Sequence, residues 1–349
     1  MKTILFCAEK TRYGFAFLRQ FLQSDFTIIG VVLPTHRKWH AYLEKYSGEK
    51  IGSFDLYKRK IKAVIKKTIS QSLISRIPKV YQRTLNAEVI LKKHNVPYWH
   101  VDDVNSEELI TRLKKTEPDI ILCAGYPQIF SEALLNLPKY GAINIHPSPL
   151  PKFRGPTPFY WIIAKGETES AVTAHFMTEN IDAGDIIAQI KFPILDMTCD
   201  ELISKSIEET PLLIKQIHKF LSEGRQAPKK QDDLLASYFR FDKENDNRLF
   251  WNQQDVHQIY NLTRTGKAFC FFRNQKIGLT ECSISEINPN LTNDIKIEEG
   301  AVVNTSNDSV MIKAKDGNVD LREVVYKGRT MTAKQLMKRL KIQIGEKFT

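Results

Sequence analysis

Four short apolar runs set the rhythm of the N-terminal half: "TILFCA" (3–8), "TIIGVVLP" (27–34), "DIILCAGY" (119–126) and "GAINIH" (141–146). Their length, β-branched content and lack of polar alternation predict strands covered on both faces, as in a parallel sheet. Stretches with apolar residues at helical spacing fall between them: "GFAFLRQFLQ", "SEELITRLKK" and "SEALLNL". Asn105 followed by Glu108, and Ser131 ahead of the third pattern, mark helix starts. Strands alternating with helices predict βαβ units in an α/β fold, a doubly wound, mostly parallel sheet.

Residues 36–95 break this rhythm. There Leu56, Ile61, Val64, Ile65, Ile69, Leu73 and Ile77 fall on one helical face with lysines opposite, a basic amphipathic insertion, with a further helix over 86–94. Farther on, Thr198 and Glu201 form a capping box before a helix that runs to Gly224. The polar stretch "RQAPKKQDD" follows. It divides the chain into a domain over 1–224, a linker over 225–237 and a domain over 238–349. Beyond 238 the pattern changes to a short helix ("NQQDVHQIYNLTRT"), then "AFCFF", "QKIGLTECSI", "AVVNTS", "SVMIKA" and "VDLREVVYKG", and last an amphipathic "TAKQLMKRLKI". Short strands separated by turns such as "KDGN" predict a small β-barrel.

Charge sharpens the picture of the insertion. The chain of 349 residues has a net charge of +11, and 36–95 holds 15 lysines and arginines against 4 acidic residues, which accounts for the whole excess. A solvated outer helix and a surface for nucleic acid or an anionic membrane are both consistent with such a segment. No apolar run approaches the ~20 residues that span a bilayer, so no integral membrane contact is expected. The N-terminus reads as a first strand and not as a signal peptide. Five scattered cysteines without a CxxC pair indicate neither zinc nor a disulfide framework, and the expectation is a reduced, cytoplasmic protein. No glycine-rich dinucleotide or triphosphate motif follows a predicted strand.

The candidate chemistry sits in "GAINIHPSPLPKFRG" (141–155). Asn144 and His146 are two apart in a strand and share a face. They stand at its C-terminal end, where open α/β sheets bind ligands. Pro147, Pro149 and Pro151 stiffen the exit, so the site is held in shape before substrate arrives. A strand-end histidine is often only a structural hydrogen-bond partner; a same-face Asn-x-His at this place moves the balance toward chemistry. A third group is Asp182, ahead of Ala183-Gly184 and between the strand-like "AVTAHFM" and "DIIAQIKFPI". By itself an Asp-Ala-Gly sequence is ordinary turn chemistry.

"NIHPSPLPKFRGPTPFYW", the "GETESAVTAHFM" after it and "IDAGDIIAQ" together resemble the folate-dependent formyltransferase family. The tail resembles, more weakly, the OB-like C-terminal domain of its methionyl-tRNA and sugar-nucleotide members. The likeness covers most of the chain except the basic insertion. It implies that Asn144, His146 and Asp182 are the catalytic set, with 10-formyltetrahydrofolate as formyl donor and no metal. A neutral amine would attack the formyl carbon. His146 suits the role of base because imidazole titrates near neutrality. Asp182 would orient the ring, and the Asn144 amide would donate to the oxyanion. The resemblance also places the folate against Gln128, Ile129 and Phe130, against Ser148, Pro149, Leu150 and Pro151, and against Thr178, Glu179, Asn180 and Ile181, with Asp185 as a supporting carboxylate. Arg154 is read as a brace for the loop.

Two departures bear on the acceptor. The methionyl-tRNA enzymes open with Gly-Thr-Pro-x-Phe-Ala after the first strand, where this chain has "CAEKTRYGFA", and they carry a short loop where this chain has the helical insertion. The sequence therefore places the primary amine of a nucleotide-linked amino sugar ahead of methionyl-tRNA, with tRNA kept open by the concentrated positive charge. A non-catalytic RNA- or membrane-binding relative and a hydrolase of the formyl-folate are the other readings. The oligomeric state, homodimer included, is left open.

Overall fold

The computed structural model describes residues 1–35, 87–223, 227–285 and 297–349. The basic face over 56–77 and Gly224 lie outside the described residues. The chain forms two compact units. One comprises Met1–Pro156, Ala171–Phe192 and Ile203–Phe241; the other comprises Thr157–Ser170, Pro193–Leu202 and Asp242–Thr349.

The first unit is built on a seven-stranded sheet of β1 (Lys2–Cys7), β2 (Thr27–Pro34), β3 (Tyr98–Val101), β4 (Ile120–Ala124), β5 (Ala142–His146), β6 (Glu169–Phe176) and β7 (Ile186–Pro193), in the order β3-β2-β1-β4-β5-β6-β7. The pairs β1/β2, β2/β3, β1/β4 and β4/β5 are parallel, and β5/β6 is antiparallel. From β1 the chain winds outward through β2 and β3, then returns to β4 on the other side of β1. Open α/β sheets bind ligands at such a reversal, here beyond the C-terminal ends of β1 and β4. The continuous apolar runs are explained by burial: every residue of β4 is buried, and every residue of β1 after Lys2.

Helices α1 (Arg12–Phe21), α2 (Ala87–Lys93), α3 (Glu107–Lys114) and α4 (Glu132–Leu135) follow the predicted patterns. One layer of the core packs Ile4, Phe6, Val32 and Ile121 of the sheet against Leu109 and Leu113 of α3 and Leu134 of α4. The cap of α3 differs from the sequence reading. Ser106, not Asn105, caps it, with Oγ accepting from Leu109 N. Asn105 is spent across the loop, its Oδ1 accepting from Ser131 N and its Nδ2 donating to Ile129 O. A neighbouring serine left it free to make those longer-range bonds.

The predicted capping box is present: Glu201 N donates to Thr198 Oγ1, and Glu201 Oε2 accepts from Thr198 N. The helix it opens, α5 (Cys199–Ser222), stops short of Gly224 and carries Pro211 inside it. Pro158–Ala164 forms a short helix that belongs to the second unit.

The second unit holds α6 (Val256–Arg264), the strands β8 (Phe269–Phe272), β9 (Gln275–Ser285), β10 (Val302–Thr305), β11 (Val310–Lys313), β12 (Asn318–Tyr326) and β13 (Arg329–Thr332), and α7 (Ala333–Leu340). The antiparallel order is β10-β11-β12-β9-β8, with β13 also on β12. β12 pairs with β11 through residues 318–321 and with β13 through 323–326, and its register shifts between Leu321 and Val324. A strand that changes partner at such an irregularity bends, which curls the sheet as the predicted barrel requires. Trp251, Phe272, Val319, Leu321, Leu336 and Met337 fill its core. Among the described residues, no helix is long and apolar enough to cross a membrane.

Candidate active site

The C-terminal end of β5 brings the three predicted residues together. Parallel pairing to β4 sets Asn144 beside Cys123, and antiparallel pairing to β6 sets Asn144 opposite His175 and His146 opposite Thr173. Asp182 arrives from the turn between β6 and β7. Its backbone is left-handed, with φ of +52°, a conformation aspartate tolerates better than most residues. Gly184 is required two residues later, since a Cβ there would lie 2.0 Å from Phe176 O.

Asp182 is the hub of the site. Its Oδ1 accepts from Asn144 Nδ2 at 3.2 Å and lies 3.5 Å from His175 Nε2. Its Oδ2 accepts from the Gly155 amide at 2.9 Å and lies 3.6 Å from His146 Nδ1. Burial pushes this carboxyl upward, but the two imidazoles and the Gly155 amide outweigh it and hold Asp182 well below the usual carboxylate range. It is therefore ionised at any working pH.

His146 is buried, and its Nε2 is 2.9 Å from the carbonyl oxygen of Phe153. A carbonyl only accepts, so Nε2 carries the proton and Nδ1 is the basic nitrogen. The ring is thus held by the Phe153 carbonyl, and Asp182 faces the nitrogen whose lone pair is open to a proton. Burial lowers the His146 pKa below its ordinary 6.5, opposed by Asp182 and the Phe153 carbonyl. At neutral pH it is a neutral base. Phe153 has a φ of +61°, stacks on Phe239 at 5.2 Å, and donates its amide to Ser237 Oγ.

Three contributors escaped the sequence reading. His175 is buried; its Nδ1 is 2.8 Å from Phe176 O and its Nε2 is 3.3 Å from Asn144 Nδ2. Asn144 Nδ2 therefore serves both Asp182 and His175, and neither of its hydrogens is free for a substrate oxygen in this arrangement. Gln231 lies in the stretch read as a linker, yet it is buried and its Nε2 donates to the carbonyls of Asp182 and Gly184. Arg154 braces it, donating to Gln231 Oε1 and to Asp233. The third is the Gly155 amide. The available signals were weak: a histidine inside an apolar strand and a glutamine within a polar run.

The residues assigned to the folate by resemblance divide. Ile129 (62% exposed) and Ile181 (42%) stand in the open, together with Thr178, Glu179 and Asn180. Phe130 is buried against Phe6, and Gln128 turns inward, donating to Asp102 O and accepting from Val104 N. Ser148 is buried and donates to Lys152 O, and Leu150 is buried. Pro149, Pro151 and Asp185 are half-buried.

Gly155 offers a stability test of this construction. With φ of +110° and a Cβ position 2.2 Å from Phe239 O, Gly155→Ala is strained twice over. It is expected to lower stability by ~2 kcal/mol or more. Thermal unfolding checks this, and an unchanged melting temperature would show that the loop rearranges freely.

An α/β sheet carrying an Asn-His-Asp cluster at its C-terminal rim, with the histidine buried and the other two half-buried, followed by an antiparallel β-domain, defines a class that comparison with known proteins names. The sequence profile described as "Formyl transferase" matches residues 46–214, and that described as "Formyl transferase, C-terminal domain" matches 243–341. A methionyl-tRNA formyltransferase of Clostridium acetobutylicum is 30% identical over 244 residues, 68% of this chain and 76% of that protein. One from Thermotoga maritima is 30% identical over 250 residues, 69% and 76% of the two chains. The chain belongs to the formyl transferase family, and it is an enzyme of formyl transfer. Among solved structures, the sugar 3N-formyl transferase WlaRD, crystallised with dTDP and 5-N-formyl-THF, superposes with a TM-score of 0.57 at 16% identity, covering 92% of this chain and 97% of that one. HypX from Aquifex aeolicus in complex with tetrahydrofolic acid gives 0.51 at 18%, covering 73% and 44%. At such identities these two share the fold.

Proposed function

We propose that this enzyme transfers the formyl group of 10-formyltetrahydrofolate to the α-amino group of methionyl-tRNA, with Asn144, His146 and Asp182 as its catalytic set. The observation that carries the chemistry is the basic Nδ1 of His146 facing an ionised Asp182 within that cluster. The acceptor follows from the methionyl-tRNA formyltransferases at about 30% identity. This reverses the order in which the sequence alone placed the acceptors, since the sugar enzymes match at 16%. The second unit fits a nucleic acid as well: Lys327, Arg329, Lys338, Arg339 and Lys341 are exposed within one short span.

The folate supplies an activated formyl carbon. Ile129 and Ile181, apolar and exposed on loops at the rim, suit the flat face of a pterin, with Gln128 to Phe130, Ser148 to Pro151, Thr178 to Ile181 and Asp185 forming its surroundings. His146 Nδ1 removes the proton of the attacking amine, and Asp182 stabilises the imidazolium so formed. Charge developing on the formyl oxygen is met by protonated His146 and by Asn144. Asn144 reaches it by exchanging its bond to Asp182 or His175 for one to the substrate. The proton then passes from His146 to the departing nitrogen.

The acceptor assignment is tested by supplying 10-formyltetrahydrofolate with either methionyl-tRNA or a dTDP-linked amino sugar. Formylation of the tRNA, with KM rising steeply with salt, is the expected result. Turnover of the amino sugar alone would reverse it.

A further inference from the structure

The reversal point of the sheet, between the ends of β1 and β4, carries two buried polar atoms that the catalytic cluster does not use. Glu9 lies just beyond β1, and its side chain is only 8% exposed. Its Oε1 is 4.0 Å from Lys10 Nζ, while Oε2 is buried without a hydrogen-bond partner among the described residues. Tyr126 lies just beyond β4, its ring edge-on to Phe6 at 5.4 Å, and its hydroxyl too is buried without a hydrogen-bond partner among the described residues. Buried polar groups are nearly always satisfied, and a carboxylate oxygen is among the most expensive to leave alone. Burial pushes both groups up from their ordinary pKa values, with Glu9 itself among the charges acting on Tyr126. Parallel pairing of β1 with β4, Cys7 beside Ala124, sets the two orphans just past the same end of adjacent strands.

Register places them relative to the chemistry. Cys7 pairs with Ala124, and Cys123 pairs with Asn144. Glu9 and His146 each stand two residues past those positions, Glu9 in the turn after β1 and His146 at the end of β5. β4 lies between β1 and β5, so the ends of those two strands are two spacings, about 10 Å, apart along one rim. An acceptor whose amine reaches His146 has the groups next to its amine-bearing unit over this reversal point.

We propose that Glu9 and Tyr126 form an acceptor-recognition subsite, in which Glu9 Oε2 and the Tyr126 hydroxyl hydrogen-bond a hydroxyl or amino donor carried on the acceptor about 10 Å from the reacting amine. A ribose hydroxyl or an adenine amine of a charged tRNA end has that chemistry, and so do the hydroxyls of a nucleotide-linked sugar. A phosphate there is disfavoured by the carboxylate. The subsite sets specificity, and it takes no part in moving the proton. It rests on the amine-formylating function proposed above.

The test compares the wild type with Glu9→Gln and Tyr126→Phe. Steady-state formyl transfer is measured with methionyl-tRNA and with a dTDP-linked amino sugar, and donor affinity by titration with 5-formyltetrahydrofolate. The expected result is a rise of ten-fold or more in the KM of the acceptor for Glu9→Gln and a smaller rise for Tyr126→Phe. The loss falls mainly on KM, with donor affinity within two-fold of the wild type. Tyr126→Phe keeps the ring packed on Phe6, so it carries the test if Glu9→Gln folds poorly. Acceptor KM unchanged in both variants, or a loss confined to donor affinity, overturns the subsite and leaves the proposed function standing. A wild type inactive on both acceptors overturns the function, and the subsite with it.

Discussion

Exchanging Asp182 for asparagine is expected to lower turnover by at least ~100-fold while the protein stays folded. Each carboxylate oxygen accepts from a donor, Oδ1 from Asn144 Nδ2 and Oδ2 from the Gly155 amide, and the rings of His146 and His175 lie within 3.6 Å. An asparagine side chain turns one of those oxygens into an NH₂ group, which must face a donor whichever way the amide is set. It also removes the charge that stabilises protonated His146 as the amine loses its proton. The loss should fall on kcat, because the charge matters most in the transition state. A folded Asp182→Asn variant with kcat near that of the wild type would mean that Asp182 is only the keystone of the turn.

The second large effect concerns His146. His146→Asn should again cost ~100-fold or more, since an amide cannot take up the amine proton. The wild-type pH profile follows from the direction of the shift. Burial holds the His146 pKa below 6.5, so the basic form is complete at neutral pH and is lost as the pH falls through the lowered value. The rate should level off above ~6.5 and decline on the acid side. Stability has the same sign: below the unfolded-state value the unfolded chain binds a proton that the folded chain resists, so stability at this site falls with falling pH. A variant that keeps the wild-type acid limb would show that another group titrates in it.

Much of this was legible in the sequence, and the exceptions have physical reasons. The run 27–34 became β2 residue for residue, and its last five residues, Gly30 to Pro34, are buried as a strand covered on both faces should be. Strand periodicity singled out Asn144 and His146; Asp182, ordinary turn chemistry by itself, was joined to them by the family resemblance, and folding brings the three side chains together. β13, Arg329–Thr332, was missed: four residues, none fully buried, carry no pattern of their own and pair only because β12 offers an edge. His175 and Gln231 act through contacts that exist only after folding, one across a β-ladder and one 49 residues from Asp182 in sequence. Nothing local marks such a residue. Sequence patterning also could not show that both hydrogens of the Asn144 amide are already in use, because that depends on distances of a few ångströms.

The claim that joins these observations is that the rim of β5 moves a formyl group from a folate to an amine using His146 as base. It is tested most directly by mixing purified protein with 10-formyltetrahydrofolate and methionyl-tRNA and following both tetrahydrofolate release and N-formylmethionyl-tRNA. The account predicts equal amounts of the two products from the wild type and at least ~100-fold slower formation of both by folded His146→Asn. Tetrahydrofolate released without any formylated tRNA or amino sugar, or equal rates from wild type and variant, would contradict it.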